Sequence, residues 1–425
     1  MAEYIEYKNS GIPWIGNIPA HWDIQRGKNI LTLMDRPVKS DDEVITCFRD
    51  GEVTLRKNRR EDGFTVSLQE IGYQGIEPGD LVVHGMDGFA GAIGVSDSRG
   101  KATPVLNVMD SSHNKRYLMY YLRMSAYKDV FMSLSTGIRV RSCDLRWNKL
   151  SVFPFVLPDR DEQDKIVDYI DDSVKKIDFI IAEAKASIEE YKAWKASVIY
   201  EAVTKGLDPN VEMKDSGVEW IGYMPTKWSR TKLSNCFNIV GSGTTPTSDD
   251  DSYYIGNINW LQSGDINGGI VKATKKQVSE EAYDKFSALK VYKAPFMAIA
   301  MYGASIANTS IVQVDACTNQ ACCVFSAPNE FIVLEYVFYA VLGAKEELLL
   351  SARGGTQPNI NQDILKKLMI PIPSKSEQEY IVCSLNFKCG KINELITEKE
   401  SLISDLEAYK KSLIFEVVTG KRKVV

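Results

Sequence analysis

KNSGIPWIGNIPAHW, from Lys8 to Trp22, returns later in the chain as KDSGVEWIGYMPTKW, from Lys214 to Trp228. Lys, Ser, Gly, Trp, Ile, Gly, Pro and Trp recur in the same order at identical spacing. A turn does not need two tryptophans, so the phrase marks an internal duplication if other segments repeat in the same order. They do. Glu162–Thr204 aligns without gaps to Glu377–Thr419, sharing Glu162-Gln163 with Glu377-Gln378 and Ile166-Val167 with Ile381-Val382. The alignment ends in VIYEAVT (Val198–Thr204) against LIFEVVT (Leu413–Thr419). Between phrase and segment the halves diverge but keep their order. GDLVVHGMDG (Gly79–Gly88) answers APFMAIAMYG (Ala294–Gly303), and ATPVLNVMD (Ala102–Asp110) answers TNQACCVFS (Thr318–Ser326). An aromatic-rich run follows each, Tyr117–Leu122 and Leu334–Leu342. The frame is preserved and the bodies vary.

A chain of 425 residues suits two domains with connecting structure. The 44% hydrophobic and 25% charged fractions are those of a soluble globular protein. No apolar run is long enough for a membrane span; Phe331–Ala344 comes closest, but it is short, contains Glu335 and reads as a buried helix. MAEYIEYK is not a signal peptide. The eight cysteines include no CxxC, and Cys317, Cys322 and Cys323 lie in a strand-like apolar run, which predicts buried thiols in a reducing cytoplasm.

A net charge of −5 argues against general affinity for nucleic acid, but the charge is uneven. Residues 1–157 carry +1, 158–206 carry −4, 207–372 carry −3 and 373–425 carry +1. The first body contains RKNRR (Arg56, Lys57, Arg59 and Arg60) and RVRSCDLR (Arg139, Arg141 and Arg146), and the second contains KATKK (with Lys275 and Lys276). Such local basic patches suit a DNA reader that depends on partners for affinity, although a solvated surface accounts equally well for any single cluster.

The repeated segments read as two long helices. Each follows a proline (Pro158, Pro373) and has Glu-Gln soon after, a helix-start composition. Ile170, Ile177, Ala184, Tyr191 and Val198, with Val174, Ile181 and Ile188, form a heptad seam in the first. Leu385, Ile392, Leu406 and Leu413, with Cys389, Ile396, Ile403 and Val417, form it in the second, and Lys195, Lys399 and Lys410 interrupt the seams. One apolar stripe needs a partner, and the natural partner is its own copy, packed antiparallel with the bodies at opposite ends. An intermolecular coil, or helices folded onto their own domains, are the alternatives.

Catalytic signatures are missing. GVSDSRGKA (Gly94–Ala102) has one residue too many for a phosphate loop and ends in Ala, and GSGTTPT (Gly241–Thr247) lacks GxGxxG spacing. His21, His84 and His113 lack metal-ligand spacing, and no run suits an amino-methyltransferase. The chain therefore reads as non-catalytic, with no cofactor or metal of its own. Its bodies instead offer polar loops. NINWLQSGDINGG (Asn257–Gly269) presents Gln262 and Ser263, and SARGGTQPNINQDIL (Ser351–Leu365) presents Arg353, Gln357 and Asn359. Arg suits guanine, and Asn or Gln suits adenine, in the major groove. TGIRVRSCDLRW (Thr136–Trp147) occupies the corresponding place in the first body.

Taken together, the K-x-S-G-x-x-W-I-G-x-x-P-x-x-W phrases, GTTP at Gly243–Pro246, GGTQPNI at Gly354–Ile360 and the P-x-x-x-E-Q helix openings closely resemble the specificity (S) subunit of type I restriction–modification systems. The resemblance covers essentially the whole chain. It implies an α+β fold, with two similar mixed α/β target-recognition domains joined by two long antiparallel coiled-coil helices in a pseudo-two-fold repeat. The domains would be 1–157 and 207–372, with a central helix over 158–206 and a C-terminal helix over 373–425. It implies a prokaryotic cytoplasmic protein that binds double-stranded DNA and is not bound to membrane. Two methyltransferase (M) subunits would dock on the helices, with S-adenosylmethionine bound in them. Two endonuclease (R) subunits would use ATP and Mg. The first body departs from the pattern, with GIRVR where the second has GTQPNI. On this reading the mounts repeat because the two readers sit alike, and the tryptophan phrase anchors each domain on its helix. A coiled-coil adaptor bridging two protein ligands without DNA, or an enzyme with an unrecognised site, are the rival classes.

Overall fold

The computed structural model describes residues 4–59, 70–133, 145–247, 250–352 and 359–424. In the first body the run LVVH forms a strand, β1 (Leu81–His84), that pairs antiparallel with β2 (Leu106–Asp110), with Val83 opposite Asn107. Strands Thr32–Leu33 and Ile93–Val95 flank them, in the order Thr32–Leu33, β2, β1, Ile93–Val95. Leu81, Val82 and Val83 are all buried, as expected where both faces of a strand are covered. The helix α1 (Lys115–Tyr127) follows and is buried over most of its circumference. The first long helix, α2, runs without interruption through Arg160–Lys205.

The second body repeats this plan. β3 (Phe296–Ala300) pairs with β4 (Cys322–Pro328), flanked by Phe237–Gly241 beside β4 and Thr309–Val312 beside β3. A parallel edge strand, Ile270–Val271, is added. The apolar run near residue 340 is the buried helix α3 (Leu334–Gly343), and the second long helix, α4, spans Lys375–Val418. The fold is thus α+β, with two similar mixed bodies joined by two long helices in a tandem repeat. Contacts divide the chain into one unit of Met1–Lys185 with Glu400–Val425 and another of Ala186–Lys399. Each unit holds part of both helices.

Within each unit the helix segments run antiparallel. In the first, Lys410 Nζ binds Asp178 at 2.6 and 2.9 Å, while Arg422 reaches Tyr169 at 3.4 Å. In the second, Lys195 Nζ donates to Asn393 at 2.9 Å, so two of the three lysines that interrupt the seams make cross-helix bonds. Ile170, Ile177, Ile181, Ala184 and Ile188 are buried, as are Leu385, Cys389, Ile392, Leu413 and Val417. Asp159 and Ser374 cap the starts, accepting from the Glu162 and Glu377 amides. Gly206 and Gly420 end the helices in the left-handed region, at φ +77° and +70°.

The repeated residues bind each body to the frame. Trp22 and Trp228 are buried, Trp22 donating to Glu162 at 3.0 Å. The Gly420 backbone packs on Pro19 and Trp22, and that of Gly206 on Trp228. The Tyr117 hydroxyl of α1 shares its one hydrogen between the Val156 (2.8 Å) and Val418 (3.2 Å) carbonyls, and that of Tyr336 in α3 between Pro371 (3.0 Å) and Val203 (3.4 Å). Both thereby satisfy a carbonyl in the last turn of a long helix, which has no partner within it. The Glu-Gln pairs have a further use. The Gln163 carbonyl accepts from Asn114 N (2.9 Å) and its amide donates to the Pro158 carbonyl (2.8 Å). Gln378 does the same with Val333 N (2.9 Å) and Pro373 (3.0 Å). Asn114 and Val333 are the residues that open α1 and α3. Gln378→Leu deprives the Val333 amide and the Phe331 and Pro373 carbonyls of this partner and is expected to cost about 2–4 kcal/mol, read by denaturant unfolding. A loss under about 0.5 kcal/mol would remove Gln378 as a tie.

Among the described cysteines, Cys47, Cys236, Cys317, Cys322, Cys323 and Cys389 are buried free thiols. Burial pushes the Cys317 and Cys323 thiols up to about 12. Cys383 departs from the expectation of buried thiols and is exposed, because its place on α4 faces away from the seam. Among the described residues, no helix is long and apolar enough to cross a membrane.

Candidate nucleic-acid interface

One backbone arrangement recurs at the end of the central strand pair in both bodies. In the first, Gly85 N donates to the Val105 carbonyl and Leu145 N donates to the Gly85 carbonyl, both at 2.8 Å. In the second, Met301 N donates to Ala321 and Ile360 N to Met301, again both at 2.8 Å. Gly85 therefore matches Met301, Val105 matches Ala321 and Leu145 matches Ile360. The side chains carried beside these points differ. Met86 and Pro104 stand where the second body has Tyr302 and Gln320.

In the second body the GTTP segment joins this face. A Cβ at Gly243 would overlap the Thr318 carbonyl, so only glycine permits the loop to lie there. The loop is held at Thr244 O by Trp260 Nε1 (3.3 Å) and at Pro246 O by the Tyr254 hydroxyl (2.7 Å). Thr245 Oγ1 then donates to Gln320 Oε1 at 2.6 Å, and Gln362 Nε2 to Ser242 Oγ at 2.7 Å. Tyr302 pairs through its backbone with Asn359, and its hydroxyl donates to the Gln320 carbonyl at 2.7 Å. Burial raises the Tyr302 phenol, with the Cys322 thiol adding to it, so the hydroxyl remains a donor. Asn359 is exposed and lines a cavity of about 470 Å³ with Met301, Tyr302, Ile360, Asn361 and Gln362.

The other candidates in this body lie elsewhere on it. Lys275 and Lys276 line a separate open cavity of about 730 Å³ with Tyr254, the Lys276 ammonium standing 5.9 Å from the Tyr254 ring. Lys275 Nζ also donates to the Gly264 carbonyl at 3.4 Å. Gln262 and Ser263 open a short 3-10 turn, in which buried Asp265 accepts from Gln262 N at 2.9 Å. Arg353 and Gln357 lie outside the described residues.

In the first body Arg56 and Arg59 come together with Arg49, His84 and Asp87 around a cavity of about 630 Å³. Arg59 pairs with Asp50 (2.6 Å) and Glu52 (3.2 Å) and lies 4.3 Å above the Phe48 ring. Arg56 Nε donates to Thr46 at 3.2 Å, and Arg49 pairs with Asp87 at 2.9 Å. His84 Nδ1 accepts from Asp87 N at 3.0 Å. Burial lowers the His84 pKa, Asp87 opposing and Arg49 adding to the shift, so the neutral ring offers Nε2–H as a donor. Lys57 pairs with Glu43 at 2.7 Å in the open, and exposed Arg146 precedes the short helix Trp147–Leu150. Arg60, Arg139 and Arg141 lie outside the described residues. The sequence singles out His84 only as a histidine without metal-ligand spacing and Thr245 only within GTTP, and it does not single out Arg49, Tyr302 or Gln320. The signal for them is weak, a polar residue placed just past a buried strand.

Residues 225–403 match the family model for the type I restriction modification DNA specificity domain. The chain is 23% identical to the provisionally named MjaX specificity subunit of a type I restriction enzyme from Methanocaldococcus jannaschii, over 100% of this chain and 99% of the relative. It is 26% identical to the type I restriction enzyme EcoBI specificity subunit of Escherichia coli, over 72% of this chain and 66% of that one. Among solved structures it resembles, with a TM-score of 0.73 and 14% identity, a chain from work on complex assembly and conformational transition of the type I R-M system. That match covers 95% of this chain and 99% of the other, and concerns the fold.

Proposed function

We propose, from the premise that the chain belongs to the type I restriction–modification specificity subunits, that each body reads one half of a bipartite DNA target. One observation carries this reading: the same backbone arrangement closes both bodies while the side chains on it are exchanged. Two readers of different sequences on equal mounts need that combination. The chain supplies recognition and no chemistry. Two methyltransferase subunits, holding S-adenosylmethionine and acting on adenine, ride on the long helices. Endonuclease subunits that use ATP and Mg join them in the cytoplasm of a prokaryote.

The helix surface supports the docking of two like partners. The repeat equates Ile180 with Leu395 and Trp194 with Tyr409, and all four are exposed, Trp194 at 53% and Tyr409 at 48%. The Asp178–Lys410 pair brings Ile180 level with Tyr409 in the first unit. The Lys195–Asn393 pair brings Trp194 level with Leu395 in the second. Each unit therefore presents one aliphatic and one aromatic side chain, contributed by opposite helices. Buried aromatics dominate interfaces of this kind.

Trp194→Asp with Tyr409→Asp is expected to weaken methyltransferase binding at least about tenfold, a loss of about 1.4 kcal/mol or more. The free chain should stay folded with only a small drop in melting temperature, because both side chains are about half exposed and the tie lost is that of Tyr409 to Arg422. The mass of the co-purified complex reads the outcome, and a double variant still carrying two methyltransferase subunits sinks the docking surface. Methylome sequencing of cells expressing the chain with its methyltransferase tests the whole proposal. A bipartite methylated motif supports it, and DNA binding that shows no sequence preference overturns it.

A further inference from the structure

We infer that Gln320 is a specificity-determining residue of the second body and reads an A·T base pair through the major-groove edge of adenine. The inference rests on the proposal that this body reads DNA and goes beyond it by naming the residue and the base.

Position is the first reason. Gln320 precedes Ala321, whose carbonyl takes part in the backbone arrangement common to both bodies, and Pro104 holds the same place before Val105. The mount is equal and the side chain is not. The second reason is orientation. Thr245 Oγ1 donates to the Gln320 side-chain carbonyl, and the Tyr302 hydroxyl donates to its main-chain carbonyl, so the exposed amide is held at its oxygen and the backbone that carries it is tied down. An ordinary surface glutamine is free to rotate. Fixing this one beforehand removes entropy that binding would otherwise cost.

Chemistry selects the base. The amide oxygen has two lone pairs, one engaged by Thr245, and the amide nitrogen has two hydrogens. One acceptor and two donors remain, and the acceptor with the donor beside it matches adenine N6–H and N7. Guanine presents two acceptors, which suit a guanidinium, and cytosine presents a donor, which suits a carboxylate. Among the described residues, the side chains gathered here, Thr245, Tyr302, Gln320, Asn359, Asn361 and Gln362, include neither.

The test uses the chain in complex with its methyltransferase. Equilibrium binding is measured to the methylome-derived target and to duplexes carrying every single base-pair change. The wild-type complex should prefer A·T at one position of one half-site by about tenfold or more. Gln320→Ala should reduce that preference to within about twofold and leave the other positions as they were. 7-Deazaadenine at that position, which lacks the N7 acceptor, should weaken the wild-type complex and leave Gln320→Ala unaffected. Thr245→Val, which releases the amide, should give an intermediate loss and serves if Gln320→Ala melts early. Discrimination unchanged at every position, or a loss of affinity equal for all sequences, overturns the assignment while the two-reader proposal stands. A wild-type complex indifferent to sequence overturns both.

Discussion

Exchanging Leu207–Ile372 for the corresponding body of a relative is expected to replace one half of the DNA target completely and to leave the other half unaltered. The expectation follows from where the ties lie. The second body meets the frame through Trp228, Tyr336 and the strand residue Pro371, which travel with it, and through Gly206, Val203 and Gln378, which stay. The first body has its own set in Trp22, Tyr117, Val156, Gln163, Val418 and Gly420. No residue belongs to both sets, so a transplant that brings its Trp and Tyr should seat on the same mount. Each mismatched base pair costs about 1–3 kcal/mol, and several together remove detectable modification of the old site. Methylome sequencing reads both halves at once. If both halves changed, recognition would not be divided between the bodies.

Much of this frame was legible beforehand because its signals are local or periodic. The heptad residues Ile177 and Ile392 are buried where the spacing puts them. The paired tryptophans are the anchors the repeat suggests. The role of the Glu-Gln pair was less visible. Its helix-start composition can be read, but the bond from Gln163 to Asn114 crosses 49 residues and needs the fold. The proposed reading face is the extreme case. Gln320 stands among ordinary residues, and what distinguishes it is Thr245, 75 positions away in sequence. Clusters of charge carry little structural information for a related reason. A run such as RKNRR shows where cations are but not what holds them, and the fold gives Lys57 and Arg59 carboxylate partners from Glu43, Asp50 and Glu52. Spacing along the chain reveals what repeats. Contacts between distant segments reveal what holds a side chain in place.

Inserting four residues after Ala186 is expected to keep both half-site sequences and to lengthen the unread spacer between them by one or two base pairs. α2 is continuous from Arg160 to Lys205 and carries the chain from the first body to the second. Four residues add about 6 Å and slightly more than one turn. Side chains on a helix surface form ridges along positions four apart, so one turn of slip lets the seam of α2 re-engage α4 with apolar residues again facing apolar residues. The added rise approaches two base-pair steps of about 3.4 Å. A two-residue insertion has the opposite consequence. It rotates the following helix by about 200°, turning Ile188 out of the seam, and would expose buried apolar surface while presenting Glu189 and Glu190 to the partner helix. That variant should lose modification altogether. Methylation mapping decides between the outcomes. An unchanged spacer in the four-residue variant, or an altered half-site, would show that α2 does not set the distance between the readers. Modification surviving in the two-residue variant would show that the phase of the seam does not matter.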